Sequence, residues 1–230
     1  MNYINCVIPV RGNSSEVKNK NFKKIDGTSL IERSIFTLKK SKIVSNIIVT
    51  SEDSRFKRIC ELHKVHFVKR PQKLSSNSIM PDKAVSHALN IFYKKNKITE
   101  FSAFTQCTSP FLNYNDVIKS FEKVQKYKFD CLFTSYKSNK FIWRQSENNL
   151  MKAINHNKKF RLGRQYIKKL EVIENGALYI FKTKKFLNLS HRFFGKIGTY
   201  LMPEIRSIDI NSKNDLKIAN SISKKVKNEK

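Results

Sequence analysis

Short apolar runs alternate with segments whose apolar positions recur at helical spacing from the start of the chain to about residue 135. The first run, 3–10, is rich in β-branched residues and predicts a strand. In 29–40, Ile31, Ile35 and Leu38 share one face, and Ser29 and Glu32 have capping-box spacing, so this segment predicts a helix. By the same patterns we expect further strands at 47–50, 65–68, 101–106, 131–135, 177–181 and 205–210, and further helices over 53–63, from Pro81, through Val117, Phe121 and Val124, and from Ser212.

This alternation of strands and helices with short connections predicts an α/β fold with a mainly parallel sheet. The alternation of strands and helices is interrupted between 138 and 172, where apolar residues are sparse and no acidic residue occurs from 148 to 170. Two interpretations stay open for this segment: a solvated loop, or an arm that meets an anion or a second subunit. The length fits a single domain, 1–230, with 138–172 as that arm.

Composition narrows the class of protein. The 230 residues carry a formal net charge of +28, with 40% hydrophobic residues, which is too apolar for a disordered basic tail. The charge admits nucleic-acid binding. However, Lys accounts for 36 of the 46 basic residues. Asn and Ile are also abundant and Arg is scarce, which favours the interpretation that A/T-rich codon usage placed many lysines on a solvated surface. Four isolated cysteines, no signal-peptide pattern and no long apolar stretch predict a cytoplasmic protein outside the membrane.

Candidate chemistry lies where the predicted strands end, because ligands of parallel α/β sheets bind beyond the carboxyl ends of the strands. The loop after the first strand combines one glycine with cations and short polar side chains, and suits either a polyphosphate or a merely solvated basic loop; its members are Arg11, Gly12, Asn13, Ser14, Lys18, Lys20 and Asn21. The Walker and GxGxxG spacings are absent. A polar turn follows at 106–110. Near the end, Asp209 and Asn211 either face one hard cation or cap a strand.

Taken together, these motifs resemble those of CMP-sialic acid synthetases (acylneuraminate cytidylyltransferases). The stretch IPVRGNS at 8–14, followed by Lys20-Asn21, is similar to the opening motif of that family, IPARGGSKG followed by KN. Further matches follow in order: Ser51-Glu52-Asp53, Arg70-Pro71, 106–110, Phe141-Ile142-Trp143-Arg144, Arg164-Gln165, 174–179 and 207–210. The resemblance covers roughly residues 3 to 220.

The resemblance implies a three-layer α/β/α Rossmann-like nucleotidyltransferase fold with a protruding dimerisation arm. It also implies that CTP and a sialic-acid-like nonulosonic acid are converted, with Mg²⁺, into the CMP-sugar and pyrophosphate. By similarity, the residues fall into four groups: Arg11, Lys20 and Asp209 for catalysis; Arg11, Gly12, Ser14, Lys20, Asn21, Arg70 and Ser78 for the nucleotide; Gln106, Arg164 and Tyr179 for the sugar; Asp209 and Asn211 for the metal. The arm would cross to the partner of a homodimer, bringing Arg164 to the partner's site.

Several positions depart from the family pattern. Asn13 replaces a glycine, Ser15 replaces a lysine, and 77–80 replaces a DTAS-like segment. Asn211 stands where the family has a second aspartate, which predicts weaker Mg²⁺ binding. Asn21 disfavours the branch that acts on 3-deoxy-manno-octulosonate, which has proline there. The alternatives are a catalytically weak homologue and a basic nucleic-acid-binding or nucleotide-binding protein on the same fold.

Overall fold

The computed structural model describes residues 3–12, 16–76, 78–160, 163 and 171–228. In chain order the elements are β1 (Ile4–Pro9), β2 (Lys24–Ile25), β3 (Thr28–Ser29), α1 (Leu30–Ser41), β4 (Val44–Ser51), α2 (Arg55–Leu62), β5 (His66–Lys69), α3 (Pro81–Tyr93), β6 (Phe101–Thr105), α4 (Tyr114–Tyr127), β7 (Cys131–Ser138), β8 (Trp143–Gln145), β9 (Met151–Ala153), β10 (Glu171–Lys182), α5 (Thr183–Leu189), β11 (Ile197–Leu201) and α6 (Lys213–Asn228).

A seven-stranded sheet with the order β11-β7-β10-β6-β1-β4-β5 forms the centre of the fold. Within this sheet β10 runs antiparallel to both of its neighbours, and the other pairings are parallel. Strands β6 and β7 therefore follow one another in the chain but are separated in the sheet by β10. The prediction of a mainly parallel sheet is confirmed.

Helices cover both faces of this sheet. Side chains alternate in direction along each strand, so one strand contributes to a core on each face. On β1, Ile4, Cys6 and Ile8 belong to a core with α1, α2, α4 and α6, whereas Val7 belongs to a second core with α3 and α5. The three-layer α/β/α arrangement is thus confirmed. The layers leave the carboxyl ends of the parallel strands uncovered by helices, and the predicted site residues follow those ends.

Local sequence signals account for several helix starts. Ser29 caps α1 and forms the predicted capping box with Glu32, and Asn113 forms another with Asp116 at α4. Pro81 occupies the first turn of α3, where its missing N–H costs nothing. The predicted bounds of these helices differ from the observed ones by only a few residues.

One predicted strand is wrong. The segment 205–210 does not pair in a sheet: Glu204–Arg206 form a 3₁₀ turn, and residues 207–210 have no strand partner. Its apolar pattern arises because Ile210 is buried against the main core. The edge next to β7 is taken instead by β11, which the pattern missed because it contains Gly198, where any Cβ would meet the ring of Phe129 at 2.3 Å.

The predicted arm contains a small antiparallel hairpin of β8 and β9. It exposes apolar side chains at Ile142, Trp143, Leu150, Met151, Ile154 and Phe160. All four cysteines are buried and free. None of the helices that the structure describes is long and apolar enough to cross a bilayer.

Candidate active site

Two neighbouring cavities open at the carboxyl ends of the parallel strands, and Gln106 at the end of β6 lines both. The first cavity measures about 320 Å³ and is lined by Pro9, Arg11, Glu16, Lys20, Asn21, Arg70, Leu74, Ser76, Ile79, Pro81, Ala84, Gln106, Cys107, Thr108 and Asn211. The second measures about 440 Å³ and is lined by Gln106, Tyr136, Ile173, Glu174, Asn175, Gly176, Tyr179, Ser207 and Asp209. Four of the residues predicted for the nucleotide (Arg11, Lys20, Asn21 and Arg70) therefore line one cavity, and two of those predicted for the sugar (Gln106 and Tyr179) line the neighbouring one.

The first cavity brings together the two predicted phosphate-binding cations, Arg11 and Lys20. Asn21 is buried and donates from Nδ2 to the carbonyl of Arg11 at 3.1 Å, which fixes the start of the loop against its end. Lys20 Nζ lies 3.4 Å from Asn211 Oδ1. Partial burial lowers the pKa of Lys20 against the opposing pull of Asp209. Such a cation is incompletely solvated, so an anion entering the cavity gains more from it than from an exposed lysine.

Gly12 is required at the end of β1 by close packing. A Cβ at this position would lie 2.3 Å from Asp53 Oδ2, and the Gly12 amide donates to Glu52 Oε1 at 2.8 Å. Glycine is thus held against the segment that follows β4. Ser14, the next predicted contact, lies outside the described residues.

Arg70 lines the first cavity but is mainly a structural residue. Its side chain is 3% exposed and forms an ion pair with Glu52 at 2.9 Å. It also donates to the carbonyl of Val10 at 2.7 Å and to Ser75 Oγ at 2.8 Å. These bonds commit the guanidinium to holding the first loop. A direct contact between Arg70 and the nucleotide, which the resemblance implies, stays a prediction.

Glu52 is the centre of this network. From the sequence it was recognised only as part of the matched motif Ser51-Glu52-Asp53, with no role of its own. It accepts hydrogen bonds from Gly12, Arg70 and Ser75. Burial opposes its ionisation, but the hydrogen bonds from Ser75, Gly12 and Arg70 outweigh that effect and lower the pKa of Glu52. The carboxylate is therefore charged at neutral pH and joins the ends of β1, β4 and β5.

The second cavity owes its shape to a bulge in β10. Glu174 pairs with Ser135 on β7 and Tyr179 pairs with Phe133, so extra residues of β10 bend out between them. Gly176 has a φ of +71°, and a Cβ there would lie 3.0 Å from Gln106 Oε1. The bulge therefore needs glycine both for its backbone conformation and for the approach of Gln106.

Asn175 pins the bulge to the rest of the fold. Its side chain is buried, accepts from Thr134 Oγ1 at 2.7 Å and donates to Ser207 Oγ at 3.0 Å. Its carbonyl accepts from Ser109 Oγ at 3.2 Å. One asparagine thus links β7, β10, the turn after β6 and the segment that leads to Asp209.

Tyr179 lies in the wall of the second cavity, as the sequence predicts. Its ring stacks on Phe104 with centroids 4.6 Å apart, and its hydroxyl donates to the carboxylate of Glu174. Burial raises the pKa of Tyr179, and the bond to Glu174 acts in the same direction. The hydroxyl is therefore a neutral donor at physiological pH.

Asp209 and Asn211 lie between the two cavities, although the strand expected to carry them is absent. Asn211 Nδ2 donates to Asp209 Oδ2 at 2.8 Å. Asp209 Oδ1 is buried and has no hydrogen-bond partner among the described residues. A buried carboxylate oxygen in this condition suits a hard cation. In the described part of the chain no three acidic, His or Cys residues cluster, so water and phosphate oxygens would have to complete a coordination shell.

The remaining predicted contacts are less well defined. Ser78 is exposed and bonds to Ser76 Oγ at 2.9 Å, and of these two only Ser76 lines the first cavity. Arg164 lies outside the described residues. Its role with the sugar carboxylate therefore stays a prediction.

A cationic cavity at the strand ends of a mainly parallel sheet shares Gln106 with a second polar cavity, and in the described part of the chain an oxygen of Asp209 beside them has no partner. These features fit a nucleotidyltransferase. The chain belongs to the cytidylyltransferase family, which it matches over residues 5–225.

Curated relatives agree with this assignment, and solved structures share the fold. The chain is 26% identical to the N-acylneuraminate cytidylyltransferase of Escherichia coli O18:K1:H7, covering 98% of this chain but only 53% of that protein. It is 27% identical to the pseudaminic acid cytidylyltransferase of Campylobacter jejuni (strain 81-176), covering 95% of each. Two solved structures share the fold, each with a TM-score of 0.69 and an alignment that covers 97% of this chain and 99% of the other. One is a 4-diphosphocytidyl-2C-methyl-D-erythritol synthase from Anaerococcus prevotii, at 14% sequence identity. The other is a CMP:2-keto-3-deoxy-manno-octonic acid synthetase complexed with CTP, at 13% sequence identity.

Proposed function

We propose that this protein transfers CMP from CTP to the anomeric hydroxyl of a sialic-acid-like or pseudaminic-acid-like nonulosonic acid and releases pyrophosphate. The observation that carries the proposal is the pair of cavities that share Gln106 and have Asp209 and Asn211 at their junction. The names of the relatives supply the substrate class.

In this reaction the anomeric oxygen of the sugar bonds to the α-phosphorus and its proton passes to solvent, the bond from that phosphorus to the bridging oxygen breaks, and pyrophosphate leaves. Arg11 and Lys20, both in the wall of the first cavity, neutralise the negative charge that builds up on the leaving group. Partial burial strengthens the attraction of Lys20 for a phosphate. Gln106, in the wall of both cavities, orients the sugar relative to the nucleotide.

A magnesium ion fits the residues at the junction of the cavities. Asp209 would hold it through the buried oxygen that lacks a described partner, and Asn211 would contribute its amide oxygen once that oxygen turns away from Lys20. When bound, the ion screens phosphate charge and polarises the α-phosphate. The protein's own groups position both substrates around it.

We also propose that the protein acts as a homodimer and that the arm at 138–172 reaches the partner's site. The apolar side chains exposed in the described part of the arm, Trp143, Leu150, Met151 and Phe160 among them, support pairing with a second copy. The charge of the second cavity supports it too, since none of its described lining residues is a cation that would meet a sugar carboxylate. Arg164 of the other copy would supply that cation.

Subunit complementation tests this arrangement. Arg164→Ala and Asp209→Asn each disable a different part of the site. If Arg164 acts across the interface, a refolded mixture regains up to a quarter of wild-type activity, because half of the molecules are heterodimers with one intact site. Sedimentation as a monomer, or a mixture no more active than its components, would refute the proposal.

Pyrophosphate release with CTP, Mg²⁺ and a panel containing N-acetylneuraminic, legionaminic and pseudaminic acids tests the reaction. We expect release with at least one acid and its loss in Arg11→Ala and Asp209→Asn. Arg58→Ala is the matched control, because Arg58 is exposed on α2 and lines neither cavity. Silence across the panel, with steeply salt-dependent binding of DNA or RNA, would favour the nucleic-acid alternative and reject the proposal.

A further inference from the structure

We propose that Glu174 selects the sugar in the second cavity by accepting hydrogen bonds from its hydroxyl or amide N–H groups. We further propose that Arg192 is the positioning residue that holds Glu174 in place through Tyr179. The inference rests on the proposed function, because it assumes that a nonulosonic acid occupies this cavity. Arg192 is not among the lining residues of either cavity, so it acts only through the groups that it contacts.

The first link is a buried ion pair at the start of α3. Asp82 is fully buried and accepts two hydrogen bonds from Arg192, from Nε to Oδ1 at 3.1 Å and from Nη2 to Oδ2 at 2.6 Å. The arginine side chain is 13% exposed. A two-point arginine–carboxylate contact fixes both the position and the plane of the guanidinium.

The second link is the stack of aromatic rings on this guanidinium. The Cζ atom of Arg192 lies 4.4 Å from the ring centre of Tyr179 and 4.7 Å from that of Phe104. Phe193 lies at 6.0 Å on the same group. These distances are within the range of cation–π attraction, which is strengthened by burial. The guanidinium therefore forms a rigid support beneath Tyr179.

The third link joins Tyr179 to Glu174. Tyr179 is 3% exposed and its hydroxyl donates to Oε1 of Glu174, a residue that lines the cavity. A carboxylate has about four acceptor positions, so one bond from Tyr179 orients it and leaves others for a ligand. The contacts run without a break from Asp82 to a carboxylate in the proposed sugar site.

The charge of this cavity indicates which sugar groups Glu174 meets. Its described lining residues include two carboxylates, Glu174 and Asp209, and no cation. Glu174 would repel the carboxylate of a nonulosonic acid and attract neutral donors. It therefore favours an orientation in which hydroxyl or acylamido N–H groups face β10 and the carboxylate faces away.

Steady-state kinetics of site variants and a control test the inference, with CTP and each sugar varied in turn. Glu174→Gln keeps the shape of the side chain but places an amide nitrogen where an acceptor is needed. We expect its sugar KM to rise about tenfold or more, as for loss of a hydrogen bond to a charged group, with the CTP KM unchanged within about twofold. Tyr179→Phe and Arg192→Met should raise the sugar KM less, and Arg192→Lys should restore part of the loss.

The double variant Glu174→Gln/Tyr179→Phe separates a chain of contacts from independent effects. If Tyr179 acts through Glu174, the double variant has about the sugar KM of Glu174→Gln alone. Arg33→Met is the matched control, because Arg33 is a half-buried arginine that lies 5.9 Å from the ring centre of Phe111 and donates to backbone carbonyls outside both cavities. It should lower the Tm and leave both KM values unchanged.

The outcomes separate this inference from the proposed function. Wild-type protein that releases no pyrophosphate with any acid of the panel overturns the proposed function, and this inference with it. A wild-type enzyme that turns over while Glu174→Gln leaves the sugar KM within twofold overturns the role of Glu174 alone. Additive effects in the double variant, or equal rises of both KM values in Arg192→Met, overturn the positioning role.

Discussion

Replacing Glu52 by Gln tests whether the network beneath the first loop holds the nucleotide cavity together. The change keeps the size of the side chain and removes the charge that pairs with Arg70, whose side chain is 3% exposed against 13% for Glu52. Removing one partner of a buried pair costs about 3–5 kcal/mol. Glutamine still accepts one hydrogen bond, so we expect a loss of about 2–3 kcal/mol in the free energy of unfolding. For a chain of this size that lowers the Tm by about 4–12 °C.

Thermal unfolding and CTP kinetics measure the two consequences separately. Because Glu52 also accepts from the amide of Gly12, its replacement loosens the first loop and should raise the CTP KM several-fold with little change in the sugar KM. If Arg70 is mainly structural, Arg70→Met should match Glu52→Gln in both measurements, and the double variant should be no worse than either. Greater loss of CTP binding in Arg70→Met would instead assign Arg70 a direct nucleotide contact.

The pH dependence gives an internal check. The pKa of Glu52 is lowered in the folded protein, so its stabilisation is present above the unfolded value of about 4.3 and fades as the pH falls below that value. The Tm difference between wild type and Glu52→Gln should therefore shrink in acid. A difference under 2 °C at pH 7, or one that grows as the pH falls, would refute the reasoning.

Three further predictions follow from single contacts. Asn211→Asp should tighten Mg²⁺ binding about tenfold or more, by calorimetry and by the Mg²⁺ dependence of activity, because it adds a charge beside Asp209; equal affinities would contradict this. Gly12→Ala should raise the CTP KM and lower the Tm, since its Cβ meets Asp53 at 2.3 Å, and an unchanged CTP KM would argue against it. Hydrogen bonds from Lys196 and Lys182 lower the pKa of Asp130 to about 2, so the stabilisation that Asp130 provides should persist above pH 4 and disappear towards pH 2. The Tm of Asp130→Asn, measured by thermal unfolding, should therefore lack the part of the wild-type pH dependence between about pH 4 and pH 2.

Much of the fold follows from local signals in the sequence. The capping box of Ser29 and Glu32, the position of Pro81 and the helical spacing of Val117, Phe121 and Val124 each act within a few residues. Their helices were therefore predictable. Strand β11 was not, since Gly198 is explained only by the ring of Phe129, which comes from a distant part of the chain.

The candidate active site also combines features that local sequence predicts with features that depend on contacts between distant segments. Arg11, Lys20, Gln106 and Asp209 were singled out because polar residues that follow apolar runs collect at one edge of a parallel sheet, and Tyr179 only through the resemblance to a known family; all five line one of the two cavities. Contacts between distant segments were not accessible. The burial of Arg70 by Glu52 and the pairing of Asp82 with Arg192, 110 positions later, depend on how the sheet and helices pack.

The antiparallel strand β10 also has a consequence for the order of folding. Strands β6 and β7 are made early in synthesis, but each keeps an open edge until β10, more than thirty residues beyond β7, inserts between them. Pairings between such distant segments form slowly, and open edges invite association with other chains until they close. Because the same insertion creates the bulge at 174–179 that lines the second cavity, the joining of β6 to β7 through β10 and the shaping of that wall of the cavity are one event, and a nascent chain that stops short of β10 would have neither.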